Sequence, residues 1–326
     1  MANSSIRGLW ESVCVEGTLE HHLPRLTPQA MSNASISIGL MHNLKAGGST
    51  LKRILLKLRQ HPSKLELCVS PAQLNMQSFL ELSTAQQEAC RMYFSAPGST
   101  FMMARQIGRP TLLLTSLRPP NDQYVSYYNY ACVCNVENRP FLNNCTARTS
   151  FEDHSRQVAW QVIMMLLAER NEEKRLLTWC ARAAAALGSV EELRFEAALS
   201  QMLIGRLSLP CMFPIPTYEI NAYLPRLSQR WRPYGLLGLQ DQINQRNEFG
   251  KDRCPANEQH WLQNAKSAPT IERLNALAAH SLELRVNQRL WSWFEGNVHR
   301  LWEKPWASTS CMAHAAARQV PPLSIR

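Results

Sequence analysis

Two short segments of this chain hold residue types that can grip phosphate. The first, HNLKAGGSTL (residues 42–51), sets His42, Lys45, Ala46, Gly47, Gly48, Ser49 and Thr50 between an apolar run and a basic amphipathic one. A glycine-bearing turn that opens a helix aims backbone N–H groups at an anion, and the helix dipole favours negative charge there. Glycines allow close approach, Ser49 and Thr50 offer hydroxyl donors, and Lys45 brings a full charge. A plainer reading is a tight turn whose Ser or Thr only caps the helix. The lysine precedes the glycines, so the order is not that of a Walker A loop, and ATP hydrolysis of that type is not indicated. The second segment, LRPPNDQYVSYYNY (117–130), carries Arg118 and, eight residues later, Ser126. An arginine at a strand end can make bidentate, charge-assisted hydrogen bonds to phosphate.

The elements that must position these residues are visible in the apolar pattern. SISIGLMH (35–42) reads as a short buried strand, and TLKRILLKLRQ (50–60) as a helix with Leu51, Ile54, Leu55 and Leu58 on one face. KLELCVS (64–70) and PTLLLTSLR (110–118) read as further strands, the latter leading into a helix that starts at NDQYVSYYNYACV (121–133). Residues 152–186, 189–207 and 270–303 are helical in pattern, LPCMFPIPTYEIN (209–221) reads as a loop, and the final twenty or so residues as a tail. Strands alternating with helices predict an α/β fold, a parallel sheet flanked by helices with a helix-rich C-terminal half. Residues 36–41 and 111–117 are expected to be neighbouring parallel strands, each ending in a phosphate-binding turn.

Bulk properties narrow the partners. The 326 residues suffice for one large domain or two ordinary ones. A formal net charge of +10 favours anionic partners without choosing among nucleotide, anionic glycan, nucleic acid or membrane surface. No helix-turn-helix, zinc-finger or aromatic-basic RNA motif is present, so nucleic acid is not expected. The ten cysteines show no C-x-x-C spacing, no metal is expected, and most read as core residues or thiols, with pairing in an oxidising lumen as the other possibility. Sequons stand at Asn3, Asn33 and Asn144. The longest apolar run, VIMMLLA (162–168), is far short of the ~20 residues that span a bilayer, and the N-terminus lacks a signal-peptide core.

Together the two phosphate segments resemble the nucleotide-binding motifs of sulfotransferases, most closely the carbohydrate sulfotransferases of the heparan-sulfate and chondroitin type. The first motif of that family reads roughly H-x-P-K-T-G-G-T-S-L, matched by His42, Lys45, Gly47, Gly48, Ser49, Thr50 and Leu51. The second reads roughly L-R-D-P-x-x-R-x-x-S-x-Y-x-Y, matched by Leu117, Arg118, Pro120, Ser126, Tyr128 and Tyr130. ALGSVEELRFEAALSQMLIGRLSLP and IERLNALAAHSLELRVNQRLWSWF are similar to later family segments, so the likeness spans about residues 35–300.

The resemblance implies a P-loop nucleotide-binding-like sulfotransferase fold in residues 34–305, with 1–33 as an N-terminal extension and 306–326 as a C-terminal tail. It implies 3′-phosphoadenosine 5′-phosphosulfate as co-substrate, gripped at the 5′ side by Lys45, Ala46, Gly47, Gly48, Ser49 and Thr50 and at the 3′-phosphate by Arg118 and Ser126. It implies transfer to a hydroxyl of a glycan or glycoconjugate in the Golgi lumen, with membrane attachment only through an N-terminal anchor; without an anchor or signal peptide, a cytoplasmic location stays open. Lys45 would stabilise the leaving oxygen. Relatives often carry a catalytic histidine some twenty residues before the arginine, whereas residues 91–106 hold no His, Asp or Glu. His42 is the first candidate for base or electrostatic helper, or else a histidine bonded to backbone at a strand end; His61 and His154 are outside candidates that read as surface residues. Pro119 and Gln123 stand where the family has Asp and a second Arg, which loosens the expected salt-bridge network. A catalytically degenerate relative that holds the nucleotide or an acidic glycan without turnover is the alternative. The tyrosines Tyr124, Tyr127, Tyr128 and Tyr130 read as packing residues rather than ligand contacts.

Overall fold

The computed structural model describes residues 2–16, 25–30, 36–43, 46–58, 79–95, 100–107, 111–128, 151–168, 171–231, 268–303 and 309–314. The predicted strand at 64–70, and Lys45, His61 and Tyr130, lie outside them.

The fold is α/β, built on four parallel strands: β2 (Ser37–Met41), β3 (Met92–Ser95), β4 (Thr111–Leu117) and β5 (Met212–Pro216), in the order β3-β2-β4-β5. The two strands expected to be neighbours are so, paired in parallel with Ser37 opposite Thr111 and Met41 opposite Thr115. Every residue of both is buried. That double burial is why they read as near-continuous apolar runs rather than as alternating ones.

Helix α1 (Ala2–Trp10) leads into a π-helical turn (Glu11–Val15), and β1 is Arg25–Ala30. Helix α2 (Gly48–Leu58) follows β2, α3 (Thr84–Ala89) precedes β3, and α4 (Thr100–Ile107) joins β3 to β4. Helix α5 (Pro120–Tyr128) follows β4, and α6 (Phe151–Leu167), α7 (Asn171–Leu187) and α8 (Ser189–Leu207) lead to β5. A 3-10 turn (Thr217–Glu219), α9 (Ile220–Trp231), α10 (Ala268–Ala279), α11 (Leu282–Glu303) and β6 (Thr309–His314) complete the order.

Four sequence expectations change. The loop at 209–221 contains β5, whose Pro214 and Pro216 disguise it; β5 pairs only with β4, and an edge strand tolerates residues that lack an N–H. The closing helical region is two helices, parted at His280 and Ser281 without a glycine or proline. The extension at 1–33 holds α1, with Trp10 fully buried, and β1. The tail holds β6, which pairs antiparallel with β1 and touches β4 through Cys311 opposite Thr111.

The cysteine expectation changes too. Cys14 and Cys180 form a disulfide, Cys90 and Cys211 are each disulfide-bonded to cysteines outside the described residues, and no cysteine among the described residues is free. Trp10 Nε1 donates to the Cys180 carbonyl at 3.1 Å, so α1 through this hydrogen bond and its π-helical turn through the disulfide are both held to α7 at Cys180. Glu196 of α8 is fully buried and lies 2.6 Å from Arg285 Nε and 2.7 Å from Arg289 Nε of α11. Arg285 reaches Glu192 as well, and its Nη1 donates to the Ala279 carbonyl at the end of α10. Among the described residues no helix is long and apolar enough to cross a membrane.

Candidate functional site

From β2 the chain steps to β3 on one side, then returns to lay β4 on the other. In open α/β sheets such a reversal leaves a crevice beyond the carboxyl ends of the two strands, where ligands bind. Both phosphate segments leave the sheet there, one from β2 and the other from β4.

The first loop is shaped by close packing. Gly47 has φ +81°, a left-handed conformation, and a Cβ there would lie 2.7 Å from Ile220 Cδ1. A Cβ on Gly48 would lie 2.5 Å from His42 Cδ2 and 3.2 Å from the Asn43 carbonyl, so the second glycine makes room for the imidazole. Thr50 and Leu51 donate to the Gly47 carbonyl at 3.0 and 3.1 Å. Thr50 N–H is therefore already engaged within the turn. Helix α2 has no acidic residue in its first turn to compete with an anion.

His42 is half-buried, with Nε2 at 3.3 Å from Ser49 Oγ. Burial first, then the positive charge of Lys52, lowers its pKa below the ordinary imidazole value, which favours the neutral ring. A neutral imidazole can accept a proton, and here it faces the Ser49 hydroxyl at the start of α2. It is not a strand-end histidine bonded to backbone.

Arg118 is the first residue past β4, and Ser126 lies on α5, both half-buried. Arg118 stands in the short link between β4 and α5, and Ser126 in the second turn of that helix, so one strand-to-helix connection carries both. The tyrosines behave as packing residues: Tyr124 and Tyr127 are buried, and Tyr124 accepts from Asn287 Nδ2 at 3.0 Å.

Two residues that the motifs did not single out hold the loops together. Asn43 is buried; its Nδ2 donates to the Ser116 carbonyl at 3.0 Å, and its Oδ1 accepts from Gln123 Nε2 at 3.0 Å. Gln123, standing where a second arginine was expected, thus joins the loops through neutral hydrogen bonds in place of a salt bridge. Thr217, at the end of β5, places its Oγ1 2.7 Å from the Ala46 carbonyl and 2.8 Å from the Leu117 carbonyl. One hydroxyl spans both segments, next to Arg118 on one side and Gly47 on the other. Only the three-strand register could reveal it, because Thr217 sits in no recognisable motif.

His154 is not a surface residue. It is buried, stacked on Tyr127 at 4.9 Å and set edge-on to Tyr128 at 5.8 Å, with neither ring nitrogen hydrogen-bonded. Burial lowers its pKa. It braces the helix that carries Ser126 and does not line the loop. Among the described residues no group of His, Cys, Asp and Glu could hold a metal ion. Comparison with protein-family models and with curated proteins gave no match.

Proposed function

We propose that this protein is a sulfotransferase that moves a sulfuryl group from 3′-phosphoadenosine 5′-phosphosulfate to a glycan hydroxyl, on a P-loop-like sulfotransferase fold. The observation that carries the proposal is the meeting of the two motif segments at one sheet edge. Ala46 and Leu117, neighbours of Lys45 and Arg118 in the chain, share the hydroxyl of Thr217. In this reading the donors of residues 47–49 and Lys45 hold the 5′ side, and Arg118 with Ser126 holds the 3′-phosphate. The acceptor oxygen attacks sulfur in line while the nucleotide phosphate leaves, so catalysis rests on positioning and on charge stabilisation at the leaving oxygen. His42, kept neutral by burial, is the residue at the loop able to take the hydroxyl proton.

The disulfides at Cys14, Cys90, Cys180 and Cys211 fit an oxidising compartment and support the lumenal location that accompanies this reading. The degenerate, binding-only reading draws on one observation: His42 Nε2 is already occupied by Ser49.

Calorimetry tests the proposal. The protein should bind 3′-phosphoadenosine 5′-phosphate well above adenosine 5′-phosphate, and Arg118→Ala should erase most of that difference. Hydrogen bonds between charged groups contribute about 1.5–3 kcal/mol, so the loss should be about ten- to hundred-fold. Equal affinity for the two nucleotides would sink the 3′-phosphate site. Sulfate transfer from labelled donor to glycans then separates turnover from binding alone.

A further inference from the structure

Next to Thr217, the β5 edge carries a surface that the nucleotide segments leave unused. Tyr218 is 55% exposed, and it is the only aromatic among the large hydrophobics that stand out of the described surface. Its ring meets Trp291 of α11 edge to face at 6.0 Å, and Trp291 is itself braced by Phe294 at 5.6 Å. Among the described residues, the charged groups that act on the Tyr218 hydroxyl are the carboxylates of Glu295 and Glu219. Arg226 lies over the neighbouring Tyr223 ring at 5.3 Å instead.

An exposed tyrosine seated on a half-buried tryptophan and flanked by carboxylates suits one kind of ligand. A pyranose offers a face of C–H groups to an aromatic ring and an edge of hydroxyls to carboxylate oxygens. Two negative charges beside the ring disfavour a uronate- or sulfate-rich chain, whose own charges they would repel. The position matches, because Tyr218 follows the residue that clamps the phosphate loop. We infer that Tyr218 and Trp291, with Glu219 and Glu295, form an acceptor platform for a neutral saccharide. The inference rests on the sulfuryl-transfer reading for its place in the reaction, but the binding it describes can be measured without nucleotide.

The probes are chitotetraose, cellotetraose and a heparin tetrasaccharide, each titrated calorimetrically into the nucleotide-free protein. At least one neutral tetrasaccharide should bind more tightly than the heparin fragment. Tyr218→Ala should weaken it about ten-fold or more, Tyr218→Phe should keep it, and the affinity for 3′-phosphoadenosine 5′-phosphate should not move in either variant. Glu219→Gln combined with Glu295→Gln should raise heparin affinity relative to the neutral sugars. Preference for heparin in the wild type, no neutral binding, or equal binding by Tyr218→Ala would overturn the platform. Nucleotide failing to bind while neutral sugar binds would overturn the sulfuryl-transfer reading and leave the saccharide site standing.

Discussion

The motif edge of the sheet and the packing of α8 against α11 are held by different chemistry. At the motif edge Asn43, Gln123 and Thr217 join the segments through uncharged groups. Between α8 and α11 a buried glutamate is clasped by two arginines. The difference fits what each region must do. On the proposed reading, a site for a multiply charged anion gains from joining groups such as Asn43, Gln123 and Thr217, which add no negative charge of their own. A helix junction has no ligand to accommodate, and there a charge pair can be buried provided that each partner is satisfied.

The largest test of this contrast is Glu196→Ala. Removing one partner of a buried pair costs about 3–5 kcal/mol, and the lower end applies here because Arg285 and Arg289 are partly exposed and can hydrate. Denaturant unfolding should show that loss, while the nucleotide affinity of the folded fraction stays the same. A stable variant with impaired nucleotide binding would reverse the roles assigned to the two regions.

Next in size is Lys45→Ala, measured as kcat. A lysine beside the leaving oxygen gains interaction as charge develops, so the loss should be about 10²–10³ in kcat, with a much smaller change in nucleotide affinity. His42→Ala should cost about 10²–10⁴ if the imidazole is the general base. A mild effect would leave it as packing for Gly48.

A smaller effect is expected for Thr217→Val, which keeps the shape and deletes the hydroxyl. A net hydrogen bond contributes about 1 kcal/mol, so the unfolding free energy should fall by about that much and nucleotide binding should weaken with it. Thr217→Ser should restore both. Unchanged affinity in the valine variant would remove Thr217 from the frame of the site.

The smallest prediction concerns pH. His42 and His154 both have pKa values lowered by burial, so the folded protein resists protons that the unfolded chain accepts below about 6.5. Stability contributed by these groups is complete above that value and declines as the pH falls through the lowered folded-state values. His154→Phe should flatten this acid limb; an unchanged limb would show that His154 is not buried neutral.

How much of this was legible depended on what each residue's neighbours were. Ile38 to Met41 and Leu112 to Leu114 announced β2 and β4 because both faces of those strands are covered, which forces apolar residues at every position. β5, though buried along its whole length, hid behind Pro214 and Pro216, and β1 behind Pro28, because an edge strand can carry residues that lack an N–H. Loop spacing marked His42, Lys45, Arg118 and Ser126 because the motifs they resemble run in order along the chain. Asn43 and Thr217 carried no such mark, since their partners are backbone carbonyls brought near by sheet register. His154 looked like a surface residue because the rings that bury it, Tyr127 and Tyr128, belong to another helix.

The Cys14–Cys180 bridge has a bearing on how the chain is made. The two cysteines are 166 residues apart, and β1 must find β6 across a still longer span. As synthesis proceeds from the N-terminus, Trp10 and Cys14 emerge long before the helix that receives them, and β1 long before its pairing strand. Cys14 must therefore stay unpaired until more than half of the chain is made, its thiol open to the wrong partner among nine other cysteines. Contacts so distant in sequence slow folding, and thiol–disulfide exchange corrects mispairing over seconds to hours. A cell producing this protein would need an isomerase where the chain emerges, and bacterial cytosol would be a poor place to express it.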